Sequence, residues 1–199
     1  MSASTERDLV CRLAVHDPAR ARARAKEIIE PLFRAQALAC VARFASPADV
    51  PSVARAALEA SAAADDPYHR VAAAAWPIRA LIERDLGHTV NDIVSDVIAR
   101  SNAITNPVSR VDALFLLWQA VYPLGDAMRA RVLGPLIEAS TRADSWKPQR
   151  VLQSLVFMLA NEDRVSAESI VAQMAHGKYR RTTERRLAAG ERQEPRRFF

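Results

Sequence analysis

Glycine is scarce in this chain, with five in 199 residues: Gly87, Gly125, Gly134, Gly177 and Gly190. None forms a phosphate-cradling loop or a dinucleotide fingerprint, and most fall where a helix should stop. Aromatic residues are only 6% of the chain, and Val, Ile and Thr never alternate with polar residues over a strand length. That speaks against a sheet. No apolar run reaches membrane-spanning length before a charge interrupts it. The first fifteen residues mix acids and bases without the apolar core of a signal peptide. These absences place the protein in the cytoplasm of a bacterium-like cell.

Cysteine is nearly absent too. Cys11 and Cys40 lie inside apolar helical stretches and read as two small buried hydrophobes, not as a disulfide or a redox pair. Histidines 16, 69, 88 and 176 are scattered, and no His-x-x-x-His or Cys-x-x-Cys spacing offers a metal site. There is no Gly-x-Ser-x-Gly elbow. The expectation is a protein that is not an enzyme and carries no metal or cofactor.

Half of the residues are hydrophobic, enough for one substantial core, and alanine dominates them. Lysine is rare, with Lys26, Lys147 and Lys178 against 25 arginines. That reads as the codon usage of a GC-rich genome before it reads as a phosphate-binding adaptation. The net charge of +5 is concentrated at one end. Residues 178–199 hold eight basic residues (Lys178, Arg180, Arg181, Arg185, Arg186, Arg192, Arg196, Arg197) against Glu184, Glu191 and Glu194. The rest of the chain is balanced.

What is present in abundance is a proline beat. Pro31, Pro67, Pro107 and Pro148 follow one another at intervals of 36, 40 and 41 residues. Three positions after the first three stand Arg34, Arg70 and Arg110, with Val151 breaking the set. Six positions after each proline the residue is small: Ala37, Ala73, Ala113 and Ser154. A proline fixes its own φ, removes a donor and pushes the preceding residue out of the helical region, so each begins a new helix. The small residue lies in the next turns, where a short side chain lets a neighbouring helix approach.

The pattern predicts helix pairs joined by tight proline turns. The first pair lies on either side of Pro31, with the earlier helix running to about Ile29 and facing inward through Ala21, Ala25, Ile28 and Ile29. The later pairs are 51–64 with 67–86, 91–104 with 107–121, 127–143 with 148–161, and 166–176 with 178–189. Thr5 with Asp8 resembles a capping box for an additional first helix. Pro77 should kink its helix, and Gly134-Pro135 divides another or leaves it whole. This period, the proline turn and the helix polarity resemble HEAT-like αα-repeat arrays over roughly residues 18–176. The resemblance implies an all-α, right-handed α-solenoid of about five helical-hairpin repeats and about ten or eleven helices. The charge distribution divides the chain into a single, charge-balanced repeat domain over 5–177 and a basic helix and tail over 178–199 that is partly disordered. The resemblance also implies a binding surface in place of chemistry.

The candidate contact residues follow. Arg34, Arg70 and Arg110 form a ladder that could grip acids or phosphates, although Glu30, Asp66 and Asn106 four residues earlier offer ordinary helical partners. The run Arg20, Arg22, Arg24, Lys26 fans around its helix and reads as a solvated face. Trp146 lies in a polar stretch and is the tryptophan expected to be partly exposed, with Tyr68 at a comparable turn. Trp76, beside Pro77, would line any groove that the kink opens. Asp112 interrupts an apolar helix. With Arg110 and Trp146 it mimics the Asp, Arg and Trp used by DNA glycosylases built on HEAT-like repeats, but none of their motifs is matched. In the tail, Lys178, Arg180, Arg181, Arg185, Arg186, Arg196 and Arg197 suit an acidic partner, nucleic acid or anionic lipid, and Phe198-Phe199 suit insertion into a pocket. A frayed, solubilising end accounts for the same residues. The expected function is a non-enzymatic adaptor that recognises a protein partner on its concave face. The alternative is a nucleic-acid-binding repeat using the tail and the arginine ladder. An open array also leaves an apolar helix at each end, through which a homodimer could form.

Overall fold

A proline at the first helical position gives up an N–H that would have been unpaired anyway, and in this chain it opens one helix after another. The computed structural model describes residues 2–142 and 145–199. Among these residues the fold is all-α, with eleven α-helices and no strand. They are α1 (Ala3–Ala14), α2 (Pro18–Glu27), α3 (Pro31–Phe44), α4 (Val50–Ala62), α5 (Pro67–Glu83), α6 (Asn91–Ser101), α7 (Pro107–Val121), α8 (Asp126–Arg142), α9 (Trp146–Leu159), α10 (Arg164–Gln173) and α11 (Lys178–Ala188). Single turns of 3-10 helix at Gly87–Thr89 and Tyr122–Leu124 fill two of the loops. No helix among the described residues is long and apolar enough to cross a membrane.

Side chains at the helix starts satisfy the unpaired N–H groups of the first turn. Asp17 accepts from the Arg20 N–H (2.9 Å), Asp66 from Tyr68 (2.7 Å), Asn106 from Ser109 (3.1 Å) and Asp163 from Ser166 (2.9 Å). The first helix begins earlier than the Thr5–Asp8 box suggests, because Ser2 accepts from the Thr5 N–H and is its cap. Pro148 is the third residue of its helix, not the first, because Ser145 caps the chain at Trp146. The C-terminal boundary expected at residue 143 lies outside the described residues. Upstream of it, α8 runs unbroken through Gly134-Pro135, and Val132, Leu136 and Ala139 keep a helical period across the pair.

The substantial helix–helix contacts join elements one or two apart in sequence. The odd-numbered helices α1, α3, α5, α7, α9 and α11 touch in series, and each even-numbered helix packs against the two odd ones that flank it. This arrangement is compatible with a helical repeat. It explains why α3 and α5 carry almost no polar stripe: Ala35 to Ala42 and Val71 to Ala75 are buried without a gap, since neighbours cover them on several sides. Ala37, Ala73 and Ala113 are wholly buried, as close helix approach requires. Ser154, the fourth of that set, remains partly exposed.

Two expectations fail in the first helices. Cys11 on α1 and Cys40 on α3 form a disulfide, with Cα atoms 5.2 Å apart. The pairing depends on α1 lying against α3, which brings two residues 29 positions apart into bonding range. Ile29 does not face the core but is 88% exposed. Helix α2 stops at Glu27, and Ile28 turns to an extended conformation that swings the next side chain outward.

Candidate binding surface

The arginine ladder is built into the turns. Arg34 donates to the carbonyl of Ile28 (3.4 Å), Arg70 to those of Ala64 (2.6 Å) and Asp65 (3.2 Å), and Arg110 to the Asn102 side chain (2.7 Å). Each guanidinium reaches back over its proline turn to the end of the preceding helix. There it meets acceptors that have no intrahelical donor and the negative end of a helix dipole. The acids four residues earlier are not their partners. Arg84 does the same for the end of α3, donating to the carbonyls of Arg43 (2.9 Å) and Ala45 (3.1 Å).

The basic residues of 178–197 divide. Arg180 pairs with Glu184 (2.9 Å) and donates to the Ala172 carbonyl (3.3 Å). Arg186 is clamped by Glu191, donates to Gln153 (3.2 Å) and lies over the Phe157 ring (4.6 Å). Its hydrogen bonds hold the Glu191 carboxyl below the usual carboxylate range. Lys178, Arg181, Arg185, Arg192, Arg196 and Arg197 are exposed.

Beyond α11 the chain becomes an extended strap across the odd-numbered helices. The Gln193 N–H donates to the Phe157 carbonyl on α9 (3.2 Å). The Arg196 N–H donates to Gln119 Oε1 on α7 (3.0 Å). Phe198 is buried against Trp76 of α5, edge to face with centroids 5.6 Å apart. Phe199 meets the same indole at 5.3 Å, and the Arg43 guanidinium of α3 lies 4.3 Å from its centroid. Arg43 is held by Glu83 of α5 (2.7 Å), which also takes Arg79 (2.7 Å). The strap thus meets α9, α7, α5 and α3 in that order, through two backbone N–H groups and two aromatic rings.

Gln119 and Arg43 carry this contact and were not among the sequence candidates. Gln119 had a visible signal, a single amide inside the apolar run Leu116-Leu117-Trp118-Gln119-Ala120-Val121. Its side chain is nearly fully buried, so its carbonyl needs a donor from within the protein. Arg43 had none, since an arginine in a last helical turn is ordinary.

A second cleft of about 510 Å³ opens beside the strap, between the starts of α5, α7 and α9. Tyr68 donates to Asp112 Oδ2 across it (2.7 Å), and Trp146 stands at its edge, 51% exposed. Lys147 and Arg150 approach the Trp146 ring at 5.9 and 5.5 Å. Burial, then the hydrogen bond to Asp112 and its charge, push the Tyr68 phenol well up, while the charge of Arg196 opposes the rise. The cleft unites Tyr68, Asp112 and Trp146 but not Arg110, which is turned toward Asn102. Among the described residues no group of His, Cys, Asp or Glu is arranged to hold a metal ion. No family model matches this chain, and comparison with curated proteins and with solved structures finds no match.

Proposed function

We propose that this chain is a non-enzymatic binding protein of the HEAT-like kind, which recognises an extended segment of a protein partner on its concave face. On this reading the hairpins α2–α3, α4–α5, α6–α7, α8–α9 and α10–α11 are five repeats of a right-handed α-solenoid, with α1 as an N-terminal cap. The observation that carries the reading is the strap. The odd-helix face already holds one extended peptide through backbone hydrogen bonds and inserted aromatic rings. Such a face combines orientation by backbone pairing with selection by pockets, the usual logic of peptide recognition. The test is co-purification with Trp76→Ala and Gln119→Ala variants beside a control on the exposed side, such as Arg55→Ala. Groove variants that retain every partner of the wild type would sink the reading.

The nucleic-acid reading has less support. Arg34, Arg70 and Arg110 bind helix ends, and Arg180 and Arg186 are paired within the chain. What favours it is the exposed set of Lys178, Arg181, Arg185, Arg192, Arg196 and Arg197. Binding through that set would weaken steeply with salt, and salt-insensitive binding would count against it. The compartment bears on both readings. Structural disulfides persist where the surroundings are oxidising and are rare in the mesophile cytosol, so the Cys11–Cys40 bond favours an oxidising compartment over the cytoplasm. Alkylation of intact cells, followed by counting of blocked thiols, distinguishes the two.

A further inference from the structure

We propose that the groove over Gln119, Trp76 and Arg43 is a receptor site for a protein segment in which basic residues precede two adjacent aromatic ones, and that residues 194–199 are its tethered competitor. The inference rests on the proposed binding face and goes further, naming the ligand's chemistry and the way access is regulated.

The site is built, not incidental. Gln119 is 4% exposed, and its carbonyl oxygen receives the Arg196 N–H, a main-chain group that any residue except proline would supply. Two residues on, the Phe198 ring is inserted against Trp76 and is 4% exposed. The next residue, Phe199, is gripped between Trp76 and the guanidinium of Arg43. One indole thus serves two consecutive rings, which specifies an aromatic pair and not a single residue. Before the pair, Arg196 lays its guanidinium over the Phe198 ring at 5.6 Å, while Arg197 lies in a hollow that Glu83 also lines. Basic residues at these two positions therefore fit the groove.

The occupant is held so that it can leave. Helix α11 ends at Ala188, and Gly190 takes a positive φ of 80° as the chain turns away. Glu191 stays tied to Arg186 of α11, and a hinge around Gly190 and Glu191 lets 192–199 swing out without unwinding a helix. Gly190, Arg192, Gln193 and Glu194 are exposed. Among the described residues, the segment beyond Glu191 donates from its main chain to the helices at Gln193, to the Phe157 carbonyl, and at Arg196, to Gln119. A ligand on a short flexible tether acts at an effective concentration in the millimolar range. A free segment of equal intrinsic affinity is then excluded until the strap is released.

The decisive experiment uses the full chain with Phe198→Ala and Phe199→Ala together. The probe is a fluorescein-labelled peptide with the sequence of residues 190–199, followed by anisotropy. The double variant should bind this peptide at least about tenfold more tightly than the wild type, as removal of a millimolar competitor requires. Adding Trp76→Ala should abolish the gain, and a peptide with both phenylalanines changed to alanine should not bind. If circular dichroism shows the double variant unfolded, Arg196→Pro replaces it, removing the N–H given to Gln119 while keeping both rings. Equal affinity of the wild type and the strap variant overturns the proposal. If Trp76→Ala still releases co-purifying partners in that case, the binding face survives and only the tethered competitor falls.

Discussion

The sulfur of Cys11 in α1 is bonded to that of Cys40 in α3, closing a loop of 29 positions that contains all of α2. Such a link stabilises chiefly by restricting the unfolded chain. For a loop of this size the chain-entropy relation gives about 3–4 kcal/mol. Dithiothreitol, or Cys11→Ser with Cys40→Ser, should therefore lower the melting temperature markedly. An unchanged melting curve, or two reactive thiols in the unreduced denatured protein, would show that the bond does not form.

Arg70 donates to the carbonyls of Ala64 and Asp65 at the end of the α4 turn. Replacing it with alanine leaves those acceptors without their donor and should cost about 1–3 kcal/mol in chemical denaturation. Arg70→Lys should recover only part of the loss, because an ammonium lacks the fork that reaches both oxygens. Full recovery by lysine would mean that charge alone matters here.

Ala113 is wholly buried on α7, whereas Ser154 at the matching position of α9 is half-buried and lines the second cleft. Ala113→Leu should overpack a closed contact and destabilise by about 1–3 kcal/mol. Ser154→Leu has open space beside it and should change stability by less than about 0.5 kcal/mol. Equal penalties in thermal denaturation would contradict the packing described for α7.

Two phenols should make the fold sensitive to alkali. Burial and the hydrogen bond to Glu162 push Tyr122 up to about 12, and burial with Asp112 raises Tyr68 as well. A raised phenol binds its proton more tightly in the folded than in the unfolded chain. Its stabilisation is complete below about pH 10 and is lost as pH climbs through the folded value. Denaturation midpoints should fall between about pH 10 and 12. Tyr68→Phe and Tyr122→Phe should each flatten that fall, and identical slopes in all three proteins would refute the assignment.

Asp85 is the only non-glycine residue with a positive φ among the described residues, at 60°. It ends α5 while the Leu86 N–H bonds back to the Leu81 carbonyl (2.9 Å), a helix stop that favours glycine. Asp85→Gly should raise stability by about 0.5–1 kcal/mol. A measured loss would indicate that the Asp85 carboxylate has a structural role of its own.

The proline beat was legible because it is local: Pro31, Pro67 and Pro107 begin α3, α5 and α7 as their backbone chemistry dictates. Ile29 was misplaced because the helix before it ends two residues early, a boundary set by turn geometry rather than by apolar spacing. The ladder arginines were recognisable as helix-end residues, but their acceptors lie across a turn whose shape no periodicity encodes. The disulfide and the strap were least visible. Each joins parts of the chain whose proximity follows only from how α1 meets α3, or how the helix row presents Trp76 and Gln119 together. Among charged neighbours, Phe198 carries no pattern that names its partner.

The order of assembly gives the strap a further meaning. Contacts between elements one or two apart can form as the chain is made, and such a row has no need to melt or form all at once. The hydrogen bond from Arg196 to Gln119 spans 77 positions and can close only after α7 and α9 are in place. Residues 194–199 are made after that row, so they close on a groove already formed and act as a latch across α7, α5 and α3. Hydrogen exchange in α3 and α5 should consequently report events at residue 198, although most of the chain lies between them.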